Sequence, residues 1–299
     1  SIGCRTSAYT KPSLKRPAKV RTGPCYFRRA SSNRSADALH EMSRSGILVF
    51  LLATVLGGCR KDEEEVTQAD VVMMIDHAVA EKGILPLFAH LQSLRLGPGR
   101  WSPTGEVPCI ALDSITGDTA AFPMNGPVTA FLRFFSQGCL GLDGVQRNGA
   151  IVVHYDTTIA GQAMVSGFSA ADLDLGLGHF RFGATVEAQN VTTSTVHLDS
   201  SFVHSSGAWS ERFRGVVSYS LLNAPLDSVV QSDRYSVLFD LVGKDHNGRA
   251  YGTVAVAGLE LDVDCAWITK GEETFTVEDA IERRMDHGQG CDGRVELHA

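Results

Sequence analysis

Between residues 149 and 258 the chain repeats one short pattern. GAIVVHYD (149–156), HFRFGATVEAQ (179–189), STVHLDSSFVH (194–204), RFRGVVSYSLL (212–222), DRYSVLFDLVG (233–243) and AYGTVAVAG (250–258) are all rich in β-branched and aromatic residues. Apolar and polar positions partly alternate along them, which gives each strand one packed and one wetted face and predicts an antiparallel sheet. Asn247-Gly248 lies between two of these runs, at a spacing that predicts a tight hairpin. No long amphipathic helix is interleaved, which argues against a parallel α/β fold. The expected fold is therefore mainly β over about 105–299. It should be an antiparallel sandwich or an extended twisted sheet, because so many consecutive strands must curl or split.

One short helix is expected ahead of the sheet. QADVVMMIDHAVAEKG (68–83) places Val71, Met74, Ile75, Ala78 and Val79 close to helical spacing, with Gly83 where a helix would stop. Pro/Gly-rich loops follow, so residues 68–104 read as a helix and its connections.

The charge is distributed unevenly. Residues 1–58 hold ten Lys/Arg and two acids, which leaves a net charge of −15 on residues 59–299. A body that acidic repels phosphate backbones, so nucleic acid is not an expected partner. Residues 1–41 are basic, lack apolar periodicity and contain no methionine. They read as a disordered extension or as untranslated upstream sequence.

Residues 42–58 read as an export signal. Arg44 gives the positive start, and Ile47–Leu56 is an apolar run too short to span a bilayer as a helix. The seam Leu56-Gly57-Gly58-Cys59 resembles the bacterial lipobox, in which the cysteine is acylated. That resemblance implies a membrane partner through a lipid anchor on Cys59, followed by an acidic tether over 59–67.

Cys4 and Cys25 fall in the first segment and Cys59 in the lipobox, which leaves Cys109, Cys139, Cys265 and Cys291. An even number in an exported domain reads as two disulfides with three possible connectivities, of which local pairing is the simplest. Zinc is the rival, but the CxxC spacing of structural zinc sites is absent.

Two segments carry a wider resemblance. Lys61, Asp62, Glu63 and Glu64, just after Cys59, resemble the lipoprotein export signal of Bacteroidota, which directs such proteins to the cell surface. The C-terminal part is similar to a group of uncharacterised Bacteroidota surface lipoproteins. Those end in an Asn-Gly hairpin, a strand with Cys-x-Trp-Ile-x-x-Gly, and a Gly-rich loop with a second cysteine. The matching residues are Asn247-Gly248, then Cys265, Trp267, Ile268 and Gly271, then Gly290-Cys291-Asp292. The resemblance implies an outer-membrane location, lipid-anchored and on the cell surface, or otherwise on the periplasmic face. It implies no activity. In that group the last loop carries more aspartate and can hold calcium. Here Asp286, Gln289 and Asp292 are the corresponding, weaker metal candidates, and a Gly-rich turn is the simpler reading.

No residue set points to catalysis. There is no Gly-x-Ser-x-Gly elbow and no phosphate-cradling glycine loop. His154 with Asp156, Asp172 with Asp174, and Asp262 with Asp264 are period-two pairs that read as surface groups. The histidines are expected at the surface or on sheet faces. Trp267 reads as packing, while Trp101 and Trp209 are open to a sugar-stacking role. The expected function is a non-enzymatic envelope lipoprotein with a binding or structural role and a glycan or protein ligand. The alternatives are a surface glycan hydrolase using strand-end carboxylates and a periplasmic lipid or ligand carrier.

Overall fold

The computed structural model describes residues 67–93, 109–122, 124–134, 140–176, 178–204, 210–223, 232–278 and 282–298. The signal segment, Cys59, the tether Lys61, Asp62, Glu63 and Glu64, and Cys139, Trp101 and Trp209 lie outside the described residues.

Among the described residues, one helix is followed by twelve strands. The helix, α1, spans Gln68–Ser93. The strands are β1 (Ile110–Gly117), β2 (Val128–Phe134), β3 (Asn148–Ile159), β4 (Gln162–Asp174), β5 (His179–Ala188) and β6 (Thr193–His204). They continue with β7 (Ser210–Leu221), β8 (Arg234–Lys244), β9 (Ala250–Asp262), β10 (Lys270–Val277), β11 (Arg283–Gln289) and β12 (Glu296–His298). All twelve form one sheet in which strand order follows chain order. Each pairing is antiparallel, so the fold is mainly β as expected, with one helix ahead of a single continuous sheet.

Helix α1 starts where expected and ends ten residues later than the sequence reading placed it. A reciprocal capping box opens it: Asp70 N–H donates to Thr67 Oγ1 at 3.2 Å, and Thr67 N–H to Asp70 Oδ2 at 3.1 Å. Gly83 does not stop the helix. It is buried where α1 presses on β5, and a Cβ there would strike the Phe180 ring. The helix then runs through Pro86, and every residue from Gly83 to Leu91 is buried. A helix apolar on all sides must be surrounded, because no face of it gains from water.

The sheet does the surrounding. His90 bonds the Val263 carbonyl just past β9, and it shares a small cavity with Ile110 of β1 and Phe134 of β2. In a flat sheet β2 and β9 would lie about 34 Å apart at the usual strand spacing of roughly 4.8 Å. A helix about 10 Å across brings both to one residue only if the sheet curls around it. Register shifts interrupt most of the pairings, among them β3–β4, β5–β6, β6–β7 and β8–β9, and such bulges increase twist and curvature.

Alternation then sorts the side chains. Val128, Ala130, Leu132 and Phe134 on β2, and Tyr235, Val237, Phe239 and Leu241 on β8, face the helix. Phe88 of α1 sits among Phe168, Phe182 and Tyr219, at centroid distances of 4.6, 6.1 and 6.2 Å. The outer face exposes Arg133, Arg181, Asp199, Arg214, Asp240 and Arg284. Phe131, Val216, Leu238 and Val242 are exposed alongside these charges.

The Asn247-Gly248 turn closes the β8–β9 hairpin as expected, with Gly248 at φ 80°. Asp245 Oδ1 accepts from the backbone of Asn247 and Arg249. Arg249 reaches from this turn to the Ala69 carbonyl at 3.1 Å, and His246 lies 3.4 Å from Asp76. The hairpin therefore clamps the first turns of α1.

Cys265 is bonded to Cys291, which ties the β9–β10 connection to the loop after β11. Cys109 is also disulfide-bonded, and its Sγ rests 3.1 Å from the carbonyl of Leu140, a van der Waals contact because a disulfide sulfur has no proton to donate. Cys265, Trp267 and Ile268 lie in the connection between β9 and β10, not on a strand as the family resemblance implied. Trp267 is a packing residue there, with Lys82 of α1 3.6 Å above its ring.

Candidate functional site

A cluster of ionisable groups lies buried between α1 and the last strands. His77 and Glu81 stand one turn apart on α1. Glu211 comes from β7, Tyr251 and Thr253 from β9, Glu273 from β10 and His287 from β11. Each strand residue is in phase with inward apolar neighbours, such as Phe213 beside Glu211 and Phe275 beside Glu273. The side chains of His77, Glu81, Glu211 and Glu273 are no more than 3% exposed, and that of His287 is 6% exposed.

The contacts form a chain. His77 Nδ1 lies 2.8 Å from Glu211 Oε1, which also accepts from the Tyr251 hydroxyl. On its other side, His77 Nε2 is 2.9 Å from Glu81 Oε1. Glu273 accepts from Thr253 Oγ1 at 2.8 Å and pairs with His287 Nε2 at 3.1 Å. Aromatic rings wall the cluster: Tyr251 and Phe275 stack on each other and lie 5.0 and 5.5 Å from the imidazole of His77.

Burial and the neighbouring charges together set the protonation. Burial alone would lower His77, but the charges of Glu81 and Glu211 outweigh it and raise it well above an ordinary imidazole. Glu81 is pushed up to about 7 by burial and by Glu273. Burial also opposes ionisation of Glu273, yet the hydrogen bond from His287 and the charge of His77 hold it below the usual carboxylate range. His287 is raised against its own burial by its bond to Glu273. Several polar atoms still have no hydrogen bond: His77 Nε2, both oxygens of Glu81 and Glu211 Oε2. The 2.9 Å approach of Nε2 to Glu81 is therefore a contact without hydrogen-bond alignment.

The expectation that the histidines sit at the surface or on sheet faces fails for His77 and His90, which are buried on α1, while His287 lies on the inward face of β11. None of the cluster residues stood out in the sequence. The signal was present in His77-x-x-x-Glu81 at helical spacing, and in Glu211, Glu273 and His287 on the inward phase of their strands.

A second feature lies outside. His179 of β5 stacks on His204 of β6 at 5.4 Å, and Phe202 stacks on His204 at 5.3 Å. Arg212 of β7 lies 5.3 Å over the Phe202 ring. His179, Phe202 and His204 line, with Arg181 and Asp172, a groove of about 350 Å³. His179 Nδ1 pairs with Asp172 at 2.9 Å.

The other sequence candidates are held by local bonds. Asp156 accepts from Ser166 Oγ, and His154 pairs with Thr129. Asp174 accepts from the Gly176 backbone, while Asp262 binds Arg234 at 2.7 Å. Asp286 accepts from Gly288 N–H and Asp292 from Arg294 N–H, each within its own turn, and Gln289 is exposed. No protein-family model, no curated protein and no solved structure matches this chain.

Proposed function

We propose that this chain is a lipid-anchored envelope protein that acts by binding, and that its ligand is an acidic glycan. The anchor in this reading is Cys59, and the acidic tether that begins at Lys61 carries the domain away from the membrane. The outer groove of His179, Arg181, Phe202 and His204, with the adjoining Arg212, is the observation that carries the binding reading. Stacked aromatic faces suit the apolar face of a sugar ring, and guanidinium groups suit its carboxylate or sulfate. The groove and the adjoining Arg212 bring three rings and two arginines together with a single carboxylate, Asp172, already paired with His179, on the outside of a domain whose net charge is strongly negative. That local exception matches an anion that the rest of the surface would repel.

The ionisable cluster is buried between α1 and the sheet, so the binding reading rests on the outer groove. Titration calorimetry with an acidic and a neutral polysaccharide tests the reading. The acidic polymer should bind, and Phe202→Ala and Arg181→Ala should each weaken it about tenfold, a loss of roughly 1.4 kcal/mol. Equal affinity for both polymers, or variants that bind like the parent, would rule the groove out.

A further inference from the structure

We propose that His77, Glu81 and Glu273 form a binding site for one first-row divalent transition-metal ion, of which zinc is the natural probe. One ligand atom from each of the three lies within 4.8 Å of the others, and all three residues are buried. Around a four-coordinate zinc, with bonds near 2.1 Å, neighbouring ligand atoms sit about 3.4 Å apart. His77 Nε2 and Glu81 Oε1 are already at 2.9 Å, so small side-chain movements suffice.

Three observations favour an ion over a merely polar core. His77 Nε2 and Glu81 Oε1 meet only each other, at 2.9 Å and without hydrogen-bond alignment, and the buried Glu81 Oε2 has no hydrogen bond, a costly arrangement that a coordinated cation resolves. The remaining nitrogen of His77 is engaged by Glu211, which is itself held by Tyr251. A carboxylate behind a histidine fixes the ring and turns its other nitrogen toward the metal, as outer partners of metal sites do. Thr253 fixes Oε2 of Glu273 in the same way, and Oε1, held by His287 Nε2 at 3.1 Å, is the oxygen a metal would share or take over.

The donor set selects the ion class. Two carboxylates balance a dication, and an imidazole nitrogen favours zinc or a neighbouring transition metal over calcium or magnesium, which take oxygen ligands. The enclosure implies a structural role: the ion would join the middle of α1 to β10, and through Glu211 to β7.

The test uses the purified protein, denatured with a chelator, refolded, and titrated with Zn²⁺ and Co²⁺. One ion per chain should bind, raise the melting temperature, and give Co²⁺ the visible absorption of a low-coordinate site. His77→Gln and Glu81→Gln should each weaken Zn²⁺ binding at least tenfold. Glu211→Gln, which changes only the partner of His77, should weaken it by about 10-fold or more. If His77→Gln does not refold, Glu81→Gln and Glu273→Gln carry the comparison. Absence of a Co²⁺ spectrum and of a melting shift would overturn the site. Unchanged affinity in Glu81→Gln and Glu273→Gln would assign the ion to surface carboxylates and overturn it equally.

Discussion

His77 on the central helix and Glu211 at the start of β7, 134 residues later in the chain, are joined at 2.8 Å in the core. This pair fixes the rotation of α1 inside the sheet, because His77 can meet Glu211, Tyr251 and Phe275 together from only one face. Removing one member of a buried pair leaves the other charged and unsatisfied. Glu211→Ala should therefore cost about 3–5 kcal/mol in urea unfolding. Glu211→Gln, which keeps an acceptor for Tyr251, should cost less. Equal losses would mean that packing rather than charge is what the residue supplies.

Phe88 is the central plug of the domain, ringed by Phe168, Phe182 and Tyr219. Phe88→Ala should destabilise by about 3–5 kcal/mol, through lost burial and the cavity left behind. The loss should appear as a lower denaturation midpoint with an unchanged slope. A change below roughly 1 kcal/mol would contradict a helix enclosed by the sheet.

His90 gives the fold an acid-sensitive point. Burial, reinforced by the charge of Arg147, lowers it to about 4, and its ring donates to the Val263 carbonyl. The folded state thus holds His90 neutral, while the unfolded chain takes up a proton below its ordinary value near 6.5. Its contribution is complete above about pH 6.5 and is lost as pH falls toward 4, on the order of 3 kcal/mol in all. Glu81, raised to about 7, acts in the opposite direction across much of the same window. The test is therefore the difference between the parent and His90→Gln. The variant should lack the parent's added loss between pH 6.5 and 4, and identical pH profiles would contradict the assignment.

The Cys265–Cys291 bond closes a loop with a sequence separation of 26 and holds the end of the sheet to the β9–β10 connection. Its loss removes a restraint on the unfolded chain worth about 3 kcal/mol. Cys291→Ser should lower the melting temperature and speed proteolysis near β11 and β12. Unchanged melting would show that packing around Trp267 holds this region alone.

Much of the fold was legible because strand alternation is local. Six of the twelve strands appear in the sequence as period-two runs, and Asn247-Gly248 marks its hairpin directly. The end of α1 was not legible, because Gly83 normally signals a stop. Here it marks close contact with Phe180, and the uniformly apolar stretch beyond it has no amphipathic stripe to read. The capping box at Thr67 and Asp70, which fixes the start of the helix, was not read from the sequence, although Thr67-x-x-Asp70 has its spacing. The buried cluster draws together residues up to 210 positions apart in the chain, from His77 to His287, linked through contacts such as His77–Glu211 and Glu273–His287. One glutamate on the inward phase of a strand looks like an isolated irregularity. Its meaning appears only when curling of the sheet brings several together around α1.

Protease treatment of intact cells tests the proposed address most directly. The acylated parent protein is compared with a variant in which Lys61, Asp62, Glu63 and Glu64 are replaced by alanine. The account predicts that the parent is digested from outside and the variant is protected. Protection of both proteins would contradict surface display and place the binding groove on the periplasmic side.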